Sequence, residues 1–73
     1  MQVVSDYAAK TISVNNGKLN STVDVFDSCG RLMHSSLINS DRQLIQTANW
    51  PSGIYHLSVQ TGNSRSVTKL FVN

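Results

Sequence analysis

The 73-residue chain holds one cysteine, one proline and four acids, and no run of apolar residues longer than three. Each scarcity removes a class of answer. Cys29 is alone, so no intrachain disulfide can staple the fold, and only an intermolecular bridge is open to it. One cysteine and two histidines do not build a zinc cluster without carboxylates of unspecified geometry, and no metal or cofactor is expected. Apolar runs this short exclude a membrane-spanning helix. The opening, MQVVSDYAAK, has neither the basic segment nor the apolar stretch of a secretory signal; for a secreted protein that signal is expected elsewhere in a longer parent chain. The six cations, Lys10, Lys18, Arg31, Arg42, Arg65 and Lys69, are scattered along the chain. They form no clustered stripe of the kind that phosphate backbones require, so no nucleic-acid partner is expected.

Helix-period stretches are missing as well, and what remains is strand-like. Ser, Thr and Val are abundant, and turn residues interrupt the chain every eight to twelve positions. KTISV at 10–14 alternates Ile12 and Val14, and NNGK at 15–18 turns it. TVDVFD at 22–27 places Val23 and Val25 on one face. DSCGR at 27–31 predicts a three-residue hairpin loop with Gly30 at positive φ. LMHSSLI at 32–38, a turn at 39–42 and QLIQT at 43–47 follow. ANWPSG at 48–53 is a corner, because Pro51 fixes φ and lacks a donor while Gly53 tolerates what other residues cannot. IYHLSVQ at 54–60 is the cleanest strand: Tyr55, Leu57 and Val59 share an inward face, and His56, Ser58 and Gln60 a solvated one. TGNS at 61–64 turns it into RSVTKLFV at 65–72. These make six strands, or seven if QVV at 2–4 also pairs. Even spacing and short loops predict an all-β fold, a small antiparallel Ig-like β-sandwich, with a small closed barrel as the alternative. A chain of this length buries only roughly 60–65% of its unfolded surface, so its stability is expected to be modest.

Catalytic chemistry finds little support in the residues. Asp6, Asp24, Asp27 and Asp41 stand singly, and Asp27 and Asp41 occupy turns where Asx hydrogen bonding accounts for them. His34 and His56 sit in strands beside serines and read as solvated surface residues. No nucleophile elbow, phosphate-binding loop or metal-ligand spacing occurs, so the chain is not expected to be an enzyme. The four glycines read as turn residues. NST at 20–22 fits the N-glycosylation pattern, which three residues often meet by chance. Trp50, Tyr7 and Tyr55 would have to share a surface to stack on a sugar. The simpler reading makes Trp50 a plug at the corner and turns Tyr55 inward. An Ig-like accessory module that binds glycan or protein is the alternative function this leaves.

Three segments taken in order carry a resemblance. VDVFDSCGRLM, then WPSGIYHLSV about twenty residues later, then the terminal TKLFVN resemble the type IX secretion system C-terminal sorting domain in its type A form, over roughly residues 19–73. Gly30 and Arg31 fall on that family's turn motif. Pro51, Ser52, Gly53 and Tyr55 fall on its G-x-Y motif and lead-in. Lys69, Leu70, Val72 and Asn73 fall on its terminal motif. The chain departs from the pattern at Trp50, where Leu is usual, at Cys29 in the turn, and at its opening, which has no Pro-Asn-Pro-like segment.

The resemblance implies a domain of secreted Bacteroidetes proteins that acts as an address label. It would pass through the periplasm and engage type IX translocon and shuttle components. It would direct an upstream cargo domain across the outer membrane and be removed by a sortase-like cysteine protease, leaving the cargo at the outer-membrane surface or secreted. Residues 1–73 are then one sorting domain of a larger protein, with 1–10 serving as linker or lead-in. Strand alternation places Lys69 in solvent if Leu70 and Val72 face the core. A last strand at a sheet edge also invites homodimers by edge pairing or strand swapping.

Overall fold

The computed structural model describes residues 1–72 and contains seven strands. They are β1 (Gln2–Asp6), β2 (Thr11–Asn15), β3 (Thr22–Asp27), β4 (Leu32–Leu37), β5 (Arg42–Gln46), β6 (Gly53–Thr61) and β7 (Ser64–Val72). Three form one sheet in the order β1-β2-β5 and four form another in the order β4-β3-β6-β7, with every pairing antiparallel. A β-sandwich therefore forms, and the closed barrel does not, because each ladder stops at its own edge. The segment 2–4 does pair: β1 lies along the whole of β2.

Alternation explains the core. Ile12 and Val14 from β2 and Ile45 from β5 face Val23 and Val25 from β3. Tyr55, Leu57 and Val59 from β6, Leu70 and Val72 from β7, and Ile38 from the loop after β4 complete the cluster. Val3, Met33 and Trp50 pack against it from partly buried positions. Apolar residues at every second position can serve one interior only when strands are pleated, so the period of two specifies both the strands and the face each one buries.

The structure corrects several local expectations. Most strand limits move by one residue, β3 keeps its expected limits and β1 runs on to Asp6, while Ile38 leaves β4 to become a fully buried anchor on the loop side. There its backbone exchanges hydrogen bonds with Ser21 and Asn20: Ile38 N donates to Ser21 O (2.8 Å) and Asn20 N to Ile38 O (2.9 Å). The segments at 15–18 and 39–42 do turn the chain, but they carry it from one sheet to the other and close no hairpin. The two crossovers lie side by side, tied by Asn16 N donating to the Asp41 carbonyl at 2.7 Å. The expected Asx bond from the Asp41 side chain does not form; its backbone carbonyl ties the loop, a bond that any residue at this position could make. Gly17 differs from the other three glycines in having no positive φ; its constraint is space, since a Cβ there would sit 2.5 Å from Ile38 Cδ1.

The two sheets meet along one seam, between β1 and β7. Ser5 Oγ donates to the Phe71 carbonyl at 3.0 Å, and the Tyr7 ring stands edge-on to the Phe71 ring, 6.5 Å between centroids at 87°. Toward the start of β7 the same seam opens into a cleft.

Candidate functional site

Three segments far apart in sequence meet at one end of the four-stranded sheet. The register aligns Asp27 of β3 with Tyr55 of β6, and Tyr55 with Leu70 of β7. Arg31 joins the same row, because Asp27 N donates to the Arg31 carbonyl at 2.9 Å. The next row inward runs Leu32, Phe26, His56, Lys69. Gly53 faces Val72 at the sheet's end.

The β3–β4 turn is built as expected. Gly30 adopts φ +85°, which favours glycine because an L side chain crowds its own backbone there, and its N–H returns to the Asp27 carbonyl at 3.0 Å. Asp27 holds the loop from below. Its Oδ1 accepts from Cys29 N (3.0 Å) and Arg31 N (2.8 Å), and its Oδ2 lies 3.2 Å from Arg31 Nε. The hydrogen bond from the Arg31 amide, more than the charge of its guanidinium, holds the Asp27 carboxyl below its ordinary value of 3.8. Arg31 is spread over the surface and Cys29 is an exposed free thiol at the loop tip. One residue into the ladder the register slips between Val25 and Phe26, leaving Met33 as an extra residue on β4.

The Trp50–Tyr55 corner is one packed unit. The chain turns as Trp50 N donates to the Thr47 carbonyl at 3.0 Å. Trp50 then lies over the buried Tyr55 ring, centroids 5.2 Å apart and planes tilted 32°. The Tyr55 hydroxyl donates back to the Pro51 carbonyl at 2.6 Å, four residues upstream. Between them Gly53 takes φ +154° with open space around it, so its need is conformational and not steric. Pro51 and Ser52 are exposed. With Tyr55 buried, Trp50 half-buried on top of it and Tyr7 against Phe71, the three rings share no flat platform for a sugar.

Along β7 the alternation holds: Leu70 and Val72 are buried, while Arg65, Val67, Lys69 and Phe71 project outward. Asn73, the last of the motif residues, lies outside the described residues. Two features escape sequence reasoning here. Phe71 occupies the unspecified position of the terminal motif, yet it anchors the seam to β1, and no periodicity reveals a contact 66 residues long. Ser58, expected on a solvated face, is buried, because Arg65 folds over it and its Nε donates to Ser58 Oγ at 2.8 Å.

His34 is also not a plain surface residue. It is half-buried, shares a 2.9 Å hydrogen bond with Ser36 Oγ, and is pushed below its ordinary pKa of 6.5 by burial, against a smaller upward pull from Asp24. Among the described residues, no three His, Cys, Asp or Glu side chains are placed to hold a metal ion, and no helix is long and apolar enough to cross a membrane. The site is a surface of backbone ends, one latched turn and outward side chains.

The sequence pattern of a family described as a secretion system C-terminal sorting domain matches residues 8–73. No curated protein matches the chain.

Proposed function

The chain belongs to the secretion system C-terminal sorting domain family, the sorting domains of type IX secretion, and from that premise we propose how it is read. The domain is the part of a secreted protein that the type IX machinery engages, and the surface engaged is the end of the four-stranded sheet where Arg31, the Pro51–Tyr55 corner and Lys69–Val72 meet. It passes through the periplasm attached to an upstream cargo domain and is recognised by translocon and shuttle components. A sortase-like cysteine protease then removes it, leaving the cargo at the outer-membrane surface or released. Catalysis is not its task; it is a substrate and an address.

One observation carries this reading. The motif positions are spread over more than forty residues of sequence, yet they meet at one end of the sheet: Arg31, Tyr55 and Leu70 share a row, Lys69 lies in the next, Gly53 pairs with Val72 at the sheet's end, and Gly30, Pro51 and Ser52 lie in the turns beside them. Gly53 and Gly30 set backbone shape, Tyr55, Leu70 and Val72 hold that shape from inside, and Arg31 and Lys69 present charge on it. A recogniser that needs a fixed surface obtains one from this division of labour.

The test appends residues 1–73 to a reporter with a Sec signal in a type IX-competent bacterium. Removing the whole domain is expected to abolish surface display. The double substitution Arg31→Glu with Lys69→Glu leaves the core untouched, breaks the Arg31–Asp27 ion pair of the turn, and is expected to cut display by about tenfold. Undiminished display without the domain would sink the sorting role. Undiminished display in the double variant would sink this end of the sheet as the surface read.

A further inference from the structure

The outer edge of β7 is a second feature that the motif positions do not explain. We propose that β7 accepts a strand from a partner protein, an extended segment in which acidic side chains alternate with apolar ones. The proposal deepens the sorting reading by naming the partner's chemistry, and it rests on that reading only for its biological setting.

The geometry begins at the turn. Gly62 and Asn63 form a two-residue loop with Gly62 at φ +58°, so Thr61 and Ser64 are the first hydrogen-bonded pair of the β6–β7 ladder. Pairs alternate from there, and the non-bonded positions on β7 are Arg65, Val67, Lys69 and Phe71. Their N–H and C=O groups point away from β6, to the edge of the sheet. The Phe71 carbonyl is taken by Ser5 Oγ. Arg65, Val67 and Lys69 remain as a row of outward backbone groups, each with an exposed side chain, Val67 at 57%.

Other sheet edges are blunted. β4 carries the bulge at Met33, and β1 and β5 are five residues each. β7 runs nine residues with no register shift. Its guard against pairing is the charge of Arg65 and Lys69, which repels a second copy or a basic strand and admits an acidic one.

Two further observations choose the occupant. β7 carries Arg65 and Lys69 and no acid, and Lys18 lies across the open seam. Asp24 stands two strands inward in the row of Ser58 and Val67, and Asp6 is at the closed end of the seam, where its carboxylate accepts from Ala9 N. A second copy pairing antiparallel through β7 would add two more cations to the same ribbon, whereas a strand with acids opposite Arg65 and Lys69 would neutralise it. The seam also offers room for the other face of such a strand. Beside Arg65 and Ser66 it opens into a cleft of about 320 Å³ with Val59 and Thr61 on its walls and Met1 and Lys18 opposite. An added strand alternates its side chains, so its inward residues reach this cleft while its outward acids lie over the cations. Backbone bonds then supply affinity and the cleft supplies selection.

The experiment uses the chain with two synthetic seven-residue peptides, Val-Glu-Val-Glu-Val-Glu-Val and the same peptide with Lys for Glu, followed by amide hydrogen exchange and chemical-shift titration. The Glu peptide is expected to protect the Arg65, Val67 and Lys69 amides, and the Lys peptide is not. Val67→Pro removes one outward N–H that β6 does not use, so the fold is expected to persist while Glu-peptide binding weakens by about tenfold or more. Arg65→Glu with Lys69→Glu is expected to reverse the preference, so that the Lys peptide binds; this arm stands even if the proline variant fails to fold. No saturable binding of the Glu peptide, or binding unchanged in both variants, overturns the proposal. Protection of the same amides without peptide, growing with protein concentration, overturns it in favour of self-pairing. Surface display of the reporter with Val67→Pro separates the two readings: normal display there, with display lost on removal of the domain, leaves the sorting role standing and discards the edge.

Discussion

At the scale of single residues, the motif splits into side chains that make a shape and side chains that show it. Tyr55 is the clearest shape-maker. Its ring is buried under Trp50 and its hydroxyl closes a 2.6 Å bond to the Pro51 carbonyl, which pins the corner to the strand that follows it. Tyr55→Phe keeps the ring and removes the bond, and it is expected to lower unfolding stability by about 1 kcal/mol. Gly53→Ala is expected to cost about 1–3 kcal/mol, because alanine must be held at φ +154°. Urea unfolding followed by tryptophan fluorescence measures both, with Trp50 as the reporter at the corner itself. A Tyr55→Phe variant as stable as the parent would show that the hydroxyl bond does not hold the corner. The alternation that turns Tyr55 inward is legible in IYHLSVQ, and the Pro-Ser-Gly corner is legible from the backbone limits of proline and glycine. The hydroxyl's partner is not legible, because the bond depends on how far the corner folds back.

Elements behave differently. Hairpins were predictable wherever a loop had its own chemistry: Gly30 after Asp27, and Gly62 in a two-residue turn. Crossovers were not, since a loop that leaves a sheet and one that closes a hairpin use the same turn residues. Gly17 shows the physical difference. It sits in the β2–β3 crossover, at a negative φ that any residue adopts, and is required because Ile38 of the neighbouring crossover fills the space its side chain would need. Gly17→Ala is therefore expected to destabilise by about 1–3 kcal/mol through overpacking against a fully buried isoleucine. The companion Ile38→Val shortens that side chain and is expected to recover part of the loss, a coupling that a double-mutant cycle in urea reads directly. Additive losses would place the constraint on Gly17 elsewhere.

For the whole molecule, pH is the simplest probe of how the parts combine. His34 is held below its ordinary value of 6.5 by burial, so between 6.5 and its folded value the unfolded chain binds a proton that the folded chain refuses. Stability is expected to fall as pH is lowered through that window and to stop falling, on this account, once the folded histidine also protonates. Asp27 acts in a separate window. Its folded pKa lies below 3.8, so its contribution is full above that value and is lost as pH falls through the folded one. Thermal midpoints measured from pH 8 to pH 2 are expected to show two declines, and His34→Gln is expected to erase the upper one only. A single decline that His34→Gln leaves unchanged would remove the histidine from the account. The edge of β7 also belongs to this scale, because an edge exists only once the other strands have found their neighbours.

Sequence alone determined the strands, their inward faces and the chemistry of the tight turns, because these follow from period-two alternation and from the backbone limits of glycine, proline and aspartate, all local causes. It also contained the three motif segments in order, and the family they resemble is the one whose pattern matches residues 8–73. Tertiary structure decided what those segments have to do with one another. Register across β3, β6 and β7 set Arg31, Tyr55 and Leu70 in one row and Lys69 in the next. The strand order left β7 outermost, and the seam closed at Phe71 and open at Arg65. No local rule reaches these facts, since each depends on which strand lies beside which. That choice is made by burying eleven apolar side chains in a single core.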